Sequence, residues 1–520
     1  MQKSLNLQLN WKKVASVFAV CLCMLAIAIF FLQRESRRGL NDTFHTAMLV
    51  IMGMMLVTLL MTYSLLFLLR VDIKWVFLVT ALTLGISYNL FLPVMNTPDE
   101  DYHSAVAQAL ASEWMGQTTD SPDSLMMMTE GEKDPGLRSR SLNREYYNEY
   151  YQWMTAKTTS REWVEKPYIY HAEFYRIIYA PAALGIILGR VMGFRLVGIL
   201  MLGRFFNLLF FLLCGYYAIW RSPIGRELMM VFSMMPMLVQ QVNSYSTDST
   251  VAALTLAFMG ATFSLAYRAE RDKWTKLDLL VALLSGIILG RCKYAACLPI
   301  CFLILLVAMK KRRADRKLVF CAWGILFASV MLGTLPGIYT MVSDNTVLTP
   351  VLGTVPYYTI GELLSNPYRL FEILGNTFYY RMDDYWRSVF GYSLGLYEWG
   401  IRLHQAVLFV PLLFLSVVPE RGQEKPHARE RALFFLVTFL GIAFAMGGML
   451  IGWTPNTEMQ IGGVQGRYFH PFIVTMMLCL APHMVCVDNK DIVRRRVLMT
   501  TIIVQFVSVL TYLDVIGGLI

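Results

Sequence analysis

The segment Asn96-Thr97-Pro98-Asp99-Glu100-Asp101-Tyr102-His103 sets three consecutive carboxylates and a histidine just beyond an apolar run that ends near Pro93. Proline suits the first position of a helix, so Pro98 would put Asp99 and Glu100 in a first turn whose dipole favours anions. His103 follows Asp99 by four positions and Glu100 by three, a spacing that would bring all three to neighbouring parts of one helical face. Such a face can accept a proton or ligate a divalent cation. A second acidic position, Asp248, follows the apolar run 227-243. A lone Asp at that place more often caps the next helix, here the one starting near Thr250. Returning to the same membrane side as Asp99, it could also share Mg²⁺ or Mn²⁺ with it through oxygen ligands. Cations complete the pattern: Arg291 and Lys293 in Gly290-Arg291-Cys292-Lys293-Tyr294, and Arg467 beside Gly466 and Tyr468. Arg offers a fork and Lys a point charge to a phosphate, although side chains that merely anchor helix ends would look the same. His171 could line the same cavity and His470 follows Arg467 by three positions; for both, a structural role is the commoner one.

The elements that must carry these residues lie in a bilayer. The 520 residues are 56% hydrophobic and 16% charged, with mean hydropathy +0.49, and many apolar runs are long enough to cross roughly 30 Å of hydrocarbon. This excludes a soluble enzyme. Thirteen spans are expected, at 14-33, 46-69, 74-93, 196-220, 227-243, 250-268, 277-291, 295-309, 318-340, 403-418, 430-452, 467-487 and 496-518. The short run 177-192, with Pro181, Gly185 and Gly189, reads as interfacial or as only dipping into the membrane. With the N-terminus inside, every short inner connection is basic, for example Arg221 and Arg226, Lys310 to Lys317, and Arg494 to Arg496, as cytoplasmic loops are. Arg34, Arg37 and Arg38 run against the trend. The net charge of +10 is then explained by topology and anionic lipid, which removes the main reason to suspect nucleic acid. The nine cysteines fall in or beside the spans with no CxxC spacing and read as small apolar residues rather than disulfides or metal ligands.

Two long segments, 94-176 and 341-402, interrupt the helices on the expected outer side, and loops of that length usually have a role. Tyr146, Tyr147, Tyr150, Tyr151 and Trp153, and the stretch Arg381 to Arg387, place rings beside charge, a combination that suits carbohydrate and equally an interfacial aromatic belt. No P-loop or GxGxxG occurs, so no nucleotide or redox cofactor is expected.

Several separated motifs together resemble the bacterial membrane family catalogued as domain of unknown function 2142, which is similar to the GT-C superfamily of polyprenyl-phosphate-sugar-dependent glycosyltransferases. They are Pro98-Asp99-Glu100-Asp101-Tyr102-His103 followed by Ala105, Ala107, Ala109 and Gly116; Arg204 with Asn207; Met235 to Asp248; Lys293-Tyr294; and Gly463-Val464-Gln465-Gly466-Arg467-Tyr468-Phe469. The family's spacer between Pro and Asp is missing here. The resemblance covers about residues 75 to 515 and implies an all-α, GT-C-like polytopic fold with outer-face loops and juxtamembrane helices. Residues 1-73 would add two spans ahead of a core at 74-520. It further implies Asp99 as catalytic base with Glu100 orienting it; His103, His171, Lys293, Arg467 and Tyr468 are then candidate substrate contacts, and any metal falls to Asp99 and Asp248. The expected activity is transfer of a sugar from a polyprenyl phosphate to an extracytoplasmic glycan, lipid or protein in the bacterial plasma membrane. A flippase for a lipid-linked saccharide, or a non-catalytic assembly subunit, are the alternatives; a flippase would show paired charges and broken helices at the midplane.

Overall fold

The structure is a computed structural model. It describes most of residues 42–517; residues 1–18, 27–41, 120–124, 138–142, 168–175, 340–355, 396–402, 422–425 and 518–520 fall outside the description, with a few single positions. Most of the span expected at 14-33, and His171, therefore lie outside the described residues.

Among the described residues, seven helices are long and apolar enough to cross a membrane: Thr43–Leu68, Ile73–Phe91, Leu196–Arg221, Thr247–Tyr267, Arg316–Thr334, Ala428–Gly452 and Lys490–Val515. Each coincides with one of the thirteen expected runs. The other described runs form shorter helices, and proline accounts for several of them, because it lacks an N–H and clashes with the preceding turn. The run at 227-243 splits into Arg226–Ser233 and Pro236–Val242. The run at 295-309 breaks into Leu298–Cys301, with Pro299 in its first turn, a tight 3-10 turn, and Leu305–Lys311. The run at 467-487 yields only His470–Cys479, with Pro471 in its first turn.

Small residues let these helices approach closely, as membrane helix pairs require. A Cβ on Gly260 would lie 2.4 Å from Ala218 Cα, and one on Gly185 would lie 2.4 Å from the Leu202 carbonyl oxygen. Polar side chains tie neighbours together inside the bundle: the Thr62 and Thr80 hydroxyls meet at 2.8 Å, and Tyr88 donates to Gln505 at 3.1 Å. Thr43–Tyr63 begins at Asp42, which caps it through the His45 amide and is gripped by Arg144. Phe44, Met48 and Ile51 of that helix belong to the same buried core as Phe77 and Phe211.

Segment 94-176 is built rather than open. It contains helices Glu100–Trp114 and Arg144–Thr155 and an antiparallel pair of strands, Leu125–Thr129 with Trp163–Pro167. Here the expected sugar-stacking rings are corrected. Tyr146, Tyr147, Tyr150 and Tyr151 are all buried, with the Tyr147 hydroxyl donating to the Phe91 carbonyl at 3.1 Å and the Tyr150 hydroxyl accepting from the Val94 amide at 3.3 Å. Their helix presents its aromatic face to the bundle, so these rings fix the segment to the ends of the spans and are closed to a ligand and to lipid.

Candidate functional site

The site is assembled at one end of the bundle, opposite the end where Arg221 pairs with Asp278 and Lys310 with Glu430. Ile73–Phe91 ends at Leu92, where Pro93 follows, and the chain turns through Val94 to Pro98. Asp99 then stands at the N-cap of Glu100–Trp114 in the left-handed region, φ 61° and ψ 10°. Few residues other than Gly, Asn and Asp tolerate that conformation. One consequence is that the expected common face divides. Asp99 turns outward, its side chain 59% exposed, while Glu100 turns inward and is sealed.

Glu100 is held by Arg204 from the middle of Leu196–Arg221. The guanidinium donates from Nε to Glu100 Oε1 at 2.6 Å and to the Leu92 and Pro93 carbonyls at 2.6 and 2.9 Å. The Tyr245 amide adds a 3.3 Å contact to the same carboxylate oxygen. Both side chains of the pair are 0% exposed. Glu100 therefore cannot reach a substrate in this arrangement. It clamps the turn that carries Asp99 to a membrane helix, which is a positioning role. A second buried pair does the same for the helix's other end: Arg190 meets Glu132 at 2.8 Å and Ser112 at 3.1 Å.

Asp248 lies in the first turn of Thr247–Tyr267. The N-cap itself is Ser246, whose hydroxyl accepts the Asp248 amide, so Asp248 is released from capping and faces the cations. Lys293 forms an ion pair with Asp248 Oδ1. It projects from a 3-10 turn between Thr275–Arg291 and the next helix, with φ 50° at Lys293 itself. Burial works against the Lys293 ammonium, but the Asp248 carboxylate more than offsets this and holds its pKa above the ordinary lysine value. Its ammonium also lies 4.4 Å from the centre of the Tyr468 ring, within cation–π reach.

Arg467 joins the two carboxylates. Its Nη2 donates to Asp99 Oδ2 at 2.9 Å and its Nε lies 3.3 Å from Asp248 Oδ2, with Nη1 3.4 Å from the Pro98 carbonyl. The side chain is 2% exposed. The turn that aims it, Gly466–Phe469, depends on Gly466: a Cβ there would lie 2.4 Å from the Tyr385 carbonyl oxygen. The Gly466 amide donates to the Ser388 hydroxyl at 3.0 Å, and the ring of His470 bonds the Val389 carbonyl at 2.9 Å.

His103 completes the rim. Its Nδ1 is 2.7 Å from the Tyr179 hydroxyl, and burial lowers its pKa to about 4, with Asp99 and Asp248 opposing and Arg467 and Lys293 assisting. It is therefore a neutral hydrogen-bonding group near pH 7. Asp99, Asp248, Lys293, Arg467, Tyr468 and His103 thus converge, with Glu100 behind them. Tyr179, Tyr245 and Ser388 take part without having been singled out. Arg204 carried a readable signal, since an arginine within an apolar span requires a partner.

The two carboxylates do not form a metal cradle. Asp99 and Asp248 are bridged by the Arg467 guanidinium and Asp248 is also paired with Lys293, so the space between them already carries positive charge. Among the described residues no group of three or more His, Cys, Asp or Glu could hold a metal ion.

A helical bundle of membrane-spanning helices, with an exposed carboxylate, a buried arginine and a half-buried lysine at one end, defines an integral membrane protein with a charged juxtamembrane site. The chain belongs to the family described as predicted membrane protein, domain of unknown function 2142, whose model matches residues 82–476. That match takes in Asp99, Glu100, His103, Asp248, Lys293, Arg467 and Tyr468. No curated protein and no solved structure matches the chain.

Proposed function

We propose that the protein is a membrane glycosyltransferase that moves a sugar from a polyprenyl-phosphate donor to a hydroxyl of an extracytoplasmic glycan, lipid or protein, with the site on the outer face of the plasma membrane. The observation that carries this reading is the Asp99–Arg467–Asp248–Lys293 array: one accessible carboxylate set against two cations that need an anion only in part, because two carboxylates already share them. In the reaction the acceptor hydroxyl gives its proton to Asp99 as its oxygen bonds to the sugar C1. The C1–O bond to phosphate breaks from the opposite face, inverting C1, and the electron pair leaves with the polyprenyl phosphate. Arg467 and Lys293 stabilise that leaving charge, and Tyr468 and neutral His103 border the sugar. Glu100 acts only through the clamp on the Asp99 turn. No step runs through a metal.

The test uses purified protein, a defined polyprenyl-phosphate sugar and an acceptor. Asp99→Asn keeps shape and removes the base, so transfer should stop while the protein remains folded; turnover near that of the unsubstituted protein would refute the role. A second reading is favoured by the broken helices Arg226–Ser233 and Pro236–Val242: a flippase for a lipid-linked saccharide. The buried pairs Arg204–Glu100 and Arg221–Asp278, by contrast, are closed by hydrogen bonds, which suits a fixed scaffold better than a moving one. Donor that crosses vesicles intact, with no product formed, would favour the flippase.

A further inference from the structure

Among the described residues, one face of the helix Pro367–Phe390 is apolar and uncovered. Its inward face is settled: Ile373, Thr377 and Tyr385 are buried, and a small core joins Ile373 and Tyr385 to Met446 and Leu450 at the last turns of the span Ala428–Gly452. Bonds to the strand-like segment after that span hold it there, Asn376 donating to the Met459 carbonyl and the Ile461 amide to the Thr377 hydroxyl. The helix therefore lies beside the end of a membrane-spanning helix, on the side of the bundle that carries Arg467. A second face is apolar and open. Tyr368, Phe371, Phe378, Met382 and Trp386 follow one another at intervals of three, seven, four and four residues, which draws one stripe along a helix, and they are 77%, 72%, 53%, 49% and 41% exposed. The short helix Ile360–Ser365 just before it also exposes Ile360 and Leu364, at 60% and 73%. A third face carries Glu372 and Asp383, also exposed.

A helix with one packed, one apolar and one charged face is built for the boundary between hydrocarbon and water, where Tyr and Trp concentrate. The supporting span itself exposes Phe435, Leu436, Phe439 and Phe444, at 60%, 45%, 58% and 41%, as a helix bordering hydrocarbon does. We infer that Pro367–Phe390 lies in the headgroup layer of the bilayer on the site's side, with its Tyr368–Trp386 stripe against acyl chains and Glu372 and Asp383 in water. Through Ser388 and Val389 it then seats the Arg467 turn at a fixed depth. The inference stands whether or not the chain transfers sugars.

The test is a nitroxide amino acid encoded at one position at a time in the full-length protein, reconstituted in phosphatidylcholine bilayers. Labels at Phe371 and Phe378 should collide several-fold more often with oxygen, which concentrates in lipid, than with a water-soluble nickel chelate, and labels at Glu372 and Asp383 should show the reverse. Nickel-favoured collisions at Phe371 and Phe378 would overturn the inference. So would spin–spin broadening at those two positions that disappears on dilution with unlabelled protein, because a second copy of the chain would then cover the stripe. Phe371→Glu together with Phe378→Glu should make the Arg467 turn more accessible to the nickel chelate, read from a label at Gly462, where a side chain meets only ordinary contacts; no change there would separate membrane docking from support of the site and refute the seating role.

Discussion

Glu100 is the residue on which structural and catalytic roles can be told apart by measurement. In Glu100→Gln the side chain keeps its volume, but Arg204 loses its counter-charge while remaining 0% exposed. Its carbonyl partners Leu92 and Pro93 stay in place and cannot neutralise it. Removing one partner of a buried pair costs about 3 to 5 kcal/mol, chiefly because the other charge is left uncompensated. That corresponds to a fall of roughly two hundredfold to a few thousandfold in the folded-to-unfolded ratio, at about 1.4 kcal/mol per factor of ten. The assay is equilibrium unfolding in mixed micelles with denaturing detergent, followed by the near-ultraviolet signal of the buried tyrosines. The double replacement Glu100→Met with Arg204→Met should recover most of the loss, since apolar side chains of similar volume often replace a buried pair without penalty; the two orphaned carbonyls set the shortfall. If Glu100→Gln unfolds like the unsubstituted protein and yet is inactive, the clamp argument fails and Glu100 belongs among the reacting groups.

Arg467→Ala should weaken binding of polyprenyl phosphate by roughly ten- to a hundredfold, the loss of a charge-assisted contact worth about 1.5 to 3 kcal/mol, with Arg467→Lys losing less; titration of the protein with the lipid phosphate reads it, and unchanged affinity would return Arg467 to a purely structural role between Asp99 and Asp248. His103 should shape stability against pH. Its folded pKa of about 4 lies below the ordinary 6.5, so the unfolded chain takes up the proton first. Stability should fall as pH drops through that interval and level off below it, and His103→Gln should flatten this part of the unfolding profile. Topology is checked by cysteine labelling in intact cells: Glu458→Cys, on the site's side, should react with an impermeant reagent and Ala314→Cys should not, the reverse pattern inverting the assignment.

The spans were legible where an apolar run carried no interruption. Thr43–Leu68, Leu196–Arg221 and Ala428–Gly452 follow directly from hydropathy, whereas Pro236, Pro299 and Pro471 shorten runs that hydropathy leaves whole. Membership of the family rests on motifs that could be read in order along the chain, and the match over residues 82–476 agrees with them. The meeting of Asp99, Asp248, Lys293 and Arg467 was suggested only by their expected return to one membrane side. Their distances depend on turns such as Gly466–Phe469, whose direction is set by a backbone approach to Tyr385 from far away in sequence. The inward turn of Glu100 was hidden for a local reason: spacing along a helix assumes helical backbone throughout, and Asp99 has φ 61°. The tyrosines of Arg144–Thr155 were misread because an aromatic face says that it will be covered and does not say by what.

The same backbone angle narrows what can ever replace Asp99. An L-residue in the left-handed region is strained by about 1–2 kcal/mol, and Asp and Asn are the side chains that lessen this by local hydrogen bonding. Glutamate, one methylene longer and chemically nearest, would combine the strain with a carboxylate carried past Arg467. Asparagine and glycine would sit comfortably and be uncharged. On the transfer mechanism proposed above, a descendant chain that no longer uses the Asp99 charge should therefore drift at this position toward Asn or Gly, while one that uses it has almost no alternative to Asp. Position 99 thus works as a marker that can be read from sequence alone: among chains sharing the surrounding Pro98 and Glu100, its identity separates those that retain the exposed charge from those that have kept only the scaffold.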